Sequence, residues 1–156
     1  ITFLDKTTFE NNKAEIAEGK SGQAYGGAIE NGRVAATPEG SLMEFADVDF
    51  IGNKAIGASD GIGGAIHNRE TMIFNGEALF QGNIAQGKTG YAQGAGLYNV
   101  GGIVTFKDTA TFIENRTTAH ATYAIGSAIL NLANSNITFK EMCTFIGNIS
   151  EGKTSA

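Results

Sequence analysis

The chain has 156 residues, 22 of them glycine, with one proline, no tryptophan, and 11 basic against 16 acidic side chains for a net charge of −5. That glycine content argues against a helical bundle, and an apolar fraction of 42% is too high for disorder. An acidic balance without a Lys/Arg cluster excludes nucleic acid as an expected partner, and no run of about 18 apolar residues is present to cross a membrane as a helix.

Three strand-like pieces recur along the chain. The first alternates apolar-x-Phe: Ile1-Thr2-Phe3, Met43-Glu44-Phe45, Met72-Ile73-Phe74, Val104-Thr105-Phe106 and Ile137-Thr138-Phe139. Period-two alternation is the signature of a half-buried strand. It puts each Phe and its apolar partner inside and leaves Thr2, Glu44, Thr105 and Thr138 facing water, with Ile73 the exception. The second piece runs into a Phe-x-x-Asn corner, at Phe9/Asn12, Phe50/Asn53, Phe80/Asn83, Phe112/Asn115 and Phe145/Asn148. The third is a small-residue run ending in aliphatic-x-Asn: Gly26-Gly27-Ala28-Ile29-Glu30-Asn31, Gly63-Gly64-Ala65-Ile66-His67-Asn68, Gly94-Ala95-Gly96-Leu97-Tyr98-Asn99 and Gly126-Ser127-Ala128-Ile129-Leu130-Asn131.

Self-similarity at a period of 20–50 residues marks a solenoid. Three short strands joined by corners describe an all-β fold: a single-stranded parallel β-helix of about four to five coils, right-handed by the rule for parallel crossovers. Identical residues then stack about 4.8 Å apart, giving two Phe ladders and two Asn ladders. In this reading each ladder Asn occupies a left-handed corner and bonds the backbone of the turn. The residue before the aliphatic (Ala28, Ala65, Gly96, Ala128) is always small, although alternation places it outside.

From Phe to Phe the steps are 41, 30, 32 and 33 residues. The long first step has two sources. Asn31 to Phe45 spans 14 positions where later coils use 6, 7 and 8, and Asn12 to Gly26 spans 14 where the others use 10, 11 and 11. Residues 17–24 and 32–42 should therefore bulge as loops, the usual seat of specificity on a rigid repeat scaffold. Glu18, Lys20, Arg33, Pro38 and Glu39 in those loops are the candidate partner-binding residues. Ile1 already lies inside a repeat, with no initiator Met or signal-like core before it. Residues 1–156 are accordingly read as one repeat domain, processed or part of a longer array, with solenoid ends that need covering by a partner.

The Gly-Gly-Ala-Ile and Phe-x-x-Asn motifs together resemble the repeats of the chlamydial polymorphic outer-membrane proteins, and more broadly a pectin-lyase-like parallel β-helix. The resemblance runs through nearly the whole chain in short motifs, with Gly94-Ala95-Gly96-Leu97 and Gly126-Ser127-Ala128-Ile129 departing mildly from the pattern. It implies a secreted or surface-exposed adhesive module; an organelle lumen or a peripheral subunit is the other location consistent with the chain.

Motifs for chemistry are few. Gly82–Thr89 and Gly147–Thr154 fit the P-loop pattern G-x-x-x-x-G-K-T. A phosphate cradle needs a helix to follow, and after Thr89 comes Gly90-Tyr91-Ala92-Gln93-Gly94 and the next repeat. Sequons occur at Asn115, Asn136 and Asn148; the first and last are ladder residues, and Asn136 is read as lying in a turn. Cys143, the single cysteine, shares a column with Thr7, Val48, Ala78 and Ala110 and is read as a buried, inert thiol. His67 and His120 have no ligand at metal-binding spacing, and His67, in an outward column with Glu30, Tyr98 and Leu130, is read as a surface residue. Asp47 and Asp49 share a strand face without a cluster around them. No cofactor, metal or catalytic residue is expected. The reading is a non-enzymatic scaffold that adheres to a protein or glycan partner or docks in an assembly, against a carbohydrate-active enzyme and, further off, an ice-binding surface whose Thr8, Thr111 and Thr144 are interrupted by Asp49 and Leu79.

Overall fold

The computed structural model describes residues 1–32 and 40–153, and these contain strands and turns with no helix. The strands pair in parallel into three five-stranded and two four-stranded sheets, each built from one strand of successive turns. The second turn shows the order: Leu42–Phe45, Val48–Ile51, Lys54–Gly57, Gly61–Ile62 and Ile66–Asn68. These five strands stand in the first to fifth sheets respectively. The protein is a parallel β-solenoid, and the columns expected from the sequence are its registers: Phe9, Phe50, Phe80, Phe112 and Phe145 pair rung to rung, as do Phe3, Phe45, Phe74, Phe106 and Phe139.

Each turn has five strands, not three. The two missed are the third and fourth, whose inward residues are small: Ala55, Ala85 and Thr117 are fully buried on the third sheet, and Ala24 and Ala92 are buried on the fourth. Small interior residues carry little hydrophobic signal, so alternation does not reveal them. The coil number also differs. Every strand of the second and third turns is paired on both sides, and in the fourth this holds for three of the five sheets. That amounts to about three turns, slightly fewer than the expected four to five, because the outermost repeats contribute edge strands.

All ten phenylalanines lie in the two ladders. Neighbouring rings in a column are nearly parallel with centroids 4.4 to 5.2 Å apart, and rings of the two columns meet edge to face. Six of the ten are fully buried. At about 1.5–3 kcal/mol for each buried ring, with a further ~0.5–1.5 kcal/mol for a good aromatic pair, these columns dominate the apolar core.

The interior amides of the Asn ladder at the Phe-x-x-Asn corner are fully bonded. Asn83 Nδ2 donates to Phe50 O and to Asn115 Oδ1, each at 2.9 Å, while Asn83 Oδ1 accepts from both the backbone N–H and the Nδ2 of Asn53 at 3.0 Å. Asn53 and Asn115 repeat the pattern. The left-handed corner, however, is not at the ladder Asn. It falls one residue earlier, in the column Asn11, Gly52, Gly82, Glu114 and Gly147, with φ between 53° and 64°. The invariably small residue before the aliphatic is likewise inside: Ala65 is fully buried in the core, and a side-chain carbon at Gly96 would press on Ala128 O and the Phe112 ring. Asn136 begins the strand Asn136–Phe139 instead of sitting in a turn.

Candidate functional site

Two places in the fold gather chemistry-bearing side chains, one on the surface and one beneath it. The first is a groove of about 290 Å³ on the outer side of the second sheet. Its walls are the columns on either side of the inward Thr7, Val48, Ala78, Ala110 register: Lys6, Asp47, Glu77 and Thr109 before it, Asp49, Leu79 and Thr111 after it. Small inward residues below and longer side chains at both margins make the depression. Lys6 Nζ lies 3.0 Å from Asp49 Oδ2, and the Glu77 backbone N–H donates to Asp47 Oδ1 at 3.0 Å. The hydrogen bond and charge of Asp49, with Asp47 and Glu77 adding to it, raise the pKa of Lys6. The expectation of no cluster around Asp47 and Asp49 is therefore corrected: the stacking of adjacent rungs supplies Glu77, and the preceding turn supplies Lys6. Such a groove can bind a polar ligand through carboxylate, ammonium and hydroxyl groups. Among the described residues no group of His, Cys, Asp and Glu is placed to hold a metal ion.

The second feature is the corner between the fourth and fifth sheets. The first glycine of each small-residue run is left-handed there, with φ of 53° at Gly26, 68° at Gly63, 59° at Gly94 and 65° at Gly126. A Cβ on Gly63 would stand 2.5 Å from Ile66 O, so this corner requires glycine. The bend turns the outward residues of the two sheets toward each other. His67, expected at the surface, is fully buried as a result, its ring centroid 4.9 Å from that of Tyr25 and 5.2 Å from that of Tyr98. Among the described residues neither ring nitrogen has a hydrogen-bond partner, and Nδ1 is 3.7 Å from Glu30 Oε1, too far to count as one. Burial, with the charge of Arg69 acting the same way, lowers the His67 pKa from 6.5 to about 4. Arg69 Nε is also buried without a partner among the described residues. The signal available in the sequence was Tyr25 two residues before Gly27, an aromatic with no reason to be exposed.

Of the loop residues expected to bind a partner, Glu18 and Lys20 are exposed, on a turn closed by Lys20 N–H donating to Ala17 O at 3.1 Å, with Gly19 left-handed at φ 74°. Arg33, Pro38 and Glu39 lie outside the described residues. The P-loop-like stretch contains the strand Ile84–Gly87, with no helix after it; Thr154 of the second match lies outside the described residues. His120 is exposed, its Nε2 2.9 Å from Gln86 Nε2. Cys143 is half-buried, not fully buried as expected, and desolvation pushes its thiol up to about 11, which keeps it protonated and unreactive at neutral pH.

Stacked Phe and Asn columns, left-handed glycine corners and a groove running across successive rungs define a parallel β-solenoid of stacked repeats. Residues 6–32 and 47–69 match the family model of the Chlamydia polymorphic membrane protein repeat, and in these stretches the chain is similar to that family. The later turns hold the same columns in register with the matched ones. No curated protein and no solved structure matches the chain.

Proposed function

We propose that the protein is a non-enzymatic adhesive module, displayed at a cell surface, that recognises a protein or glycan partner through the loops interrupting its repeats. The observation that carries this reading is the repeat match over residues 6–32 and 47–69, which includes the whole of the 17–24 loop. A rigid ladder core is suited to hold such loops in fixed places, and Glu18, Lys20, Arg33, Pro38 and Glu39 are the residues assigned to contact. The outer turns offer a second kind of contact. Ile1 and Leu4 on one side, and Met142, Phe145, Ile146 and Ile149 on the other, are exposed apolar residues that a further coil or a partner would cover.

The groove at Lys6, Asp47, Asp49 and Glu77 favours one competing reading, a carbohydrate-active enzyme, since paired carboxylates are what glycosidic chemistry uses. Binding to cultured cells and to a glycan array, together with a polysaccharide-cleavage screen, separates the two. Deleting residues 18–21 together with 33–39 should abolish binding while an Asp49→Asn/Glu77→Gln double variant binds as the parent does. Cleavage activity lost in the double variant would establish the enzyme instead. The ice-binding alternative predicts thermal hysteresis, which the broken Thr8, Asp49, Leu79, Thr111, Thr144 register does not favour.

A further inference from the structure

The corner at His67 holds a titratable ring in a place that tolerates it only when neutral. The ring is fully buried, neither nitrogen is bonded among the described residues, and its faces are covered by Tyr25 from the fourth sheet and Tyr98 from the next rung of the fifth. An unpaired charge in such a site is costly. Two groups on neighbouring positions act on a charge formed there. Arg69, two residues on, opposes it. Glu30, on the adjacent rung and half-exposed, would attract it, but Oε1 is 3.7 Å away. Tyrosine faces favour a cation through cation–π attraction, but they offer the ring nitrogens no hydrogen-bond acceptor in place of water, and burial with the charge of Arg69 lowers the His67 pKa. A protonated ring therefore gains by moving outward, toward Glu30 and water.

What that movement would release is also visible. Tyr25 Oη donates to Gln23 Oε1, and Gln23 Nε2 donates to Asp60. Asp60 Oδ1 in turn accepts the Tyr91 backbone N–H at 2.6 Å. This chain ties the returning end of the 17–24 loop across three successive turns, and Tyr25, its first member, is held in place by the His67 ring.

We propose that His67 is an acid-sensitive latch: protonation unseats the imidazole from between Tyr25 and Tyr98 and frees the loop at residues 17–24 from its anchor on Asp60. Its direction follows from the neutral form being the buried one. The latch is closed above pH 6.5 and opens as pH falls toward 4.

The test is hydrogen exchange, corrected for intrinsic rates, at the Ala24 amide, which bonds Asp60 O, and at the Ser59 amide, which bonds Gly22 O, from pH 7 to pH 4. Protection at both should fall at least tenfold over that range in the parent and stay within twofold in His67→Phe, which keeps an aromatic ring but cannot charge. Equal loss of protection in both proteins would assign the effect to the carboxylates, Asp60 and Glu30, and overturn the proposal. Should His67→Phe not fold, the NMR titration of the His67 ring in the parent decides instead. A ring midpoint clearly below 6.5, with the Tyr25 ring shifting at that same midpoint, supports the latch; a midpoint near 6.5, or a Tyr25 ring that does not respond, overturns it.

Discussion

At the scale of single residues, the ladder asparagines do what no other side chain could do in their place. Each interior amide uses both donors and both acceptor positions, on the backbone of one turn and the amide of the next. Removing one strands partners on both sides, and each buried group left unpaired costs about 1–3 kcal/mol. Asn83→Ala should therefore lower unfolding stability by about 4 kcal/mol in denaturant titration, well beyond what loss of its few apolar atoms would do. Asn83→Asp should be no better, since a carboxylate cannot donate to Phe50 O or Asn115 Oδ1. These columns were readable in the sequence because identical residues recur in one register and only Asn and Phe satisfy their sites. His67 was not readable. Alternation assigns faces to a flat strand, and whether an outward face meets water depends on the bend at Gly63, which lies outside the strand.

At the scale of the turn and its strands, the corners set the geometry. The position before each ladder Asn is left-handed, and it is glycine in three turns, Asn11 in the first and Glu114 in the fourth. A non-glycine residue pays about 1–2 kcal/mol there, partly offset by the greater unfolded-state freedom of glycine. Glu114 is exposed, so little else depends on its side chain. Glu114→Gly should raise stability by about 1 kcal/mol, measured as a shift in the denaturant midpoint with unchanged slope. The strands between the corners were legible only where they carry large residues. Phenylalanine marks the first and second sheets, and Ile or Leu marks the fifth, whereas the third and fourth are lined with Ala, Gly and Thr and read as connecting segments. Nothing in the spacing separates a short strand of small residues from a loop of the same length.

At the scale of the whole molecule, the core is one continuous stack, and burial fades toward its outer turns. Phe50, Phe80 and Phe112 are fully buried, while Phe145 on the same column is 51% exposed. An exposed aromatic beside Ile146 and Ile149 is a surface that associates with apolar material. Sedimentation of the 156-residue chain should show concentration-dependent association, and Phe145→Ser with Ile146→Ser should weaken it at least tenfold while circular dichroism stays that of a β-solenoid. Association unchanged in the double variant would move the contact to the groove or the loops. The groove itself could not be foreseen from spacing, because Lys6, Asp49 and Glu77 belong to three turns and meet only through rung-on-rung register.

The amide columns also have a direction. In both of them every Nδ2 points to the Oδ1 of the following turn: Asn12 to Asn53 to Asn83 to Asn115 to Asn148, and Asn31 to Asn68 to Asn99 to Asn131. The dipoles of the two columns therefore add along the axis, and the two poles of the stack are chemically unlike. One presents the amide oxygen of Asn12, that of Asn31 being taken up by the Ser41 hydroxyl, and the other presents amide hydrogens at Asn131 and Asn148. A turn added to either pole continues the hydrogen-bonded run only when it points the same way, whereas two stacks meeting pole to like pole would set donor against donor or acceptor against acceptor. Growth or association along the axis is thus restricted to head-to-tail order, which extends a filament and does not close a two-fold dimer.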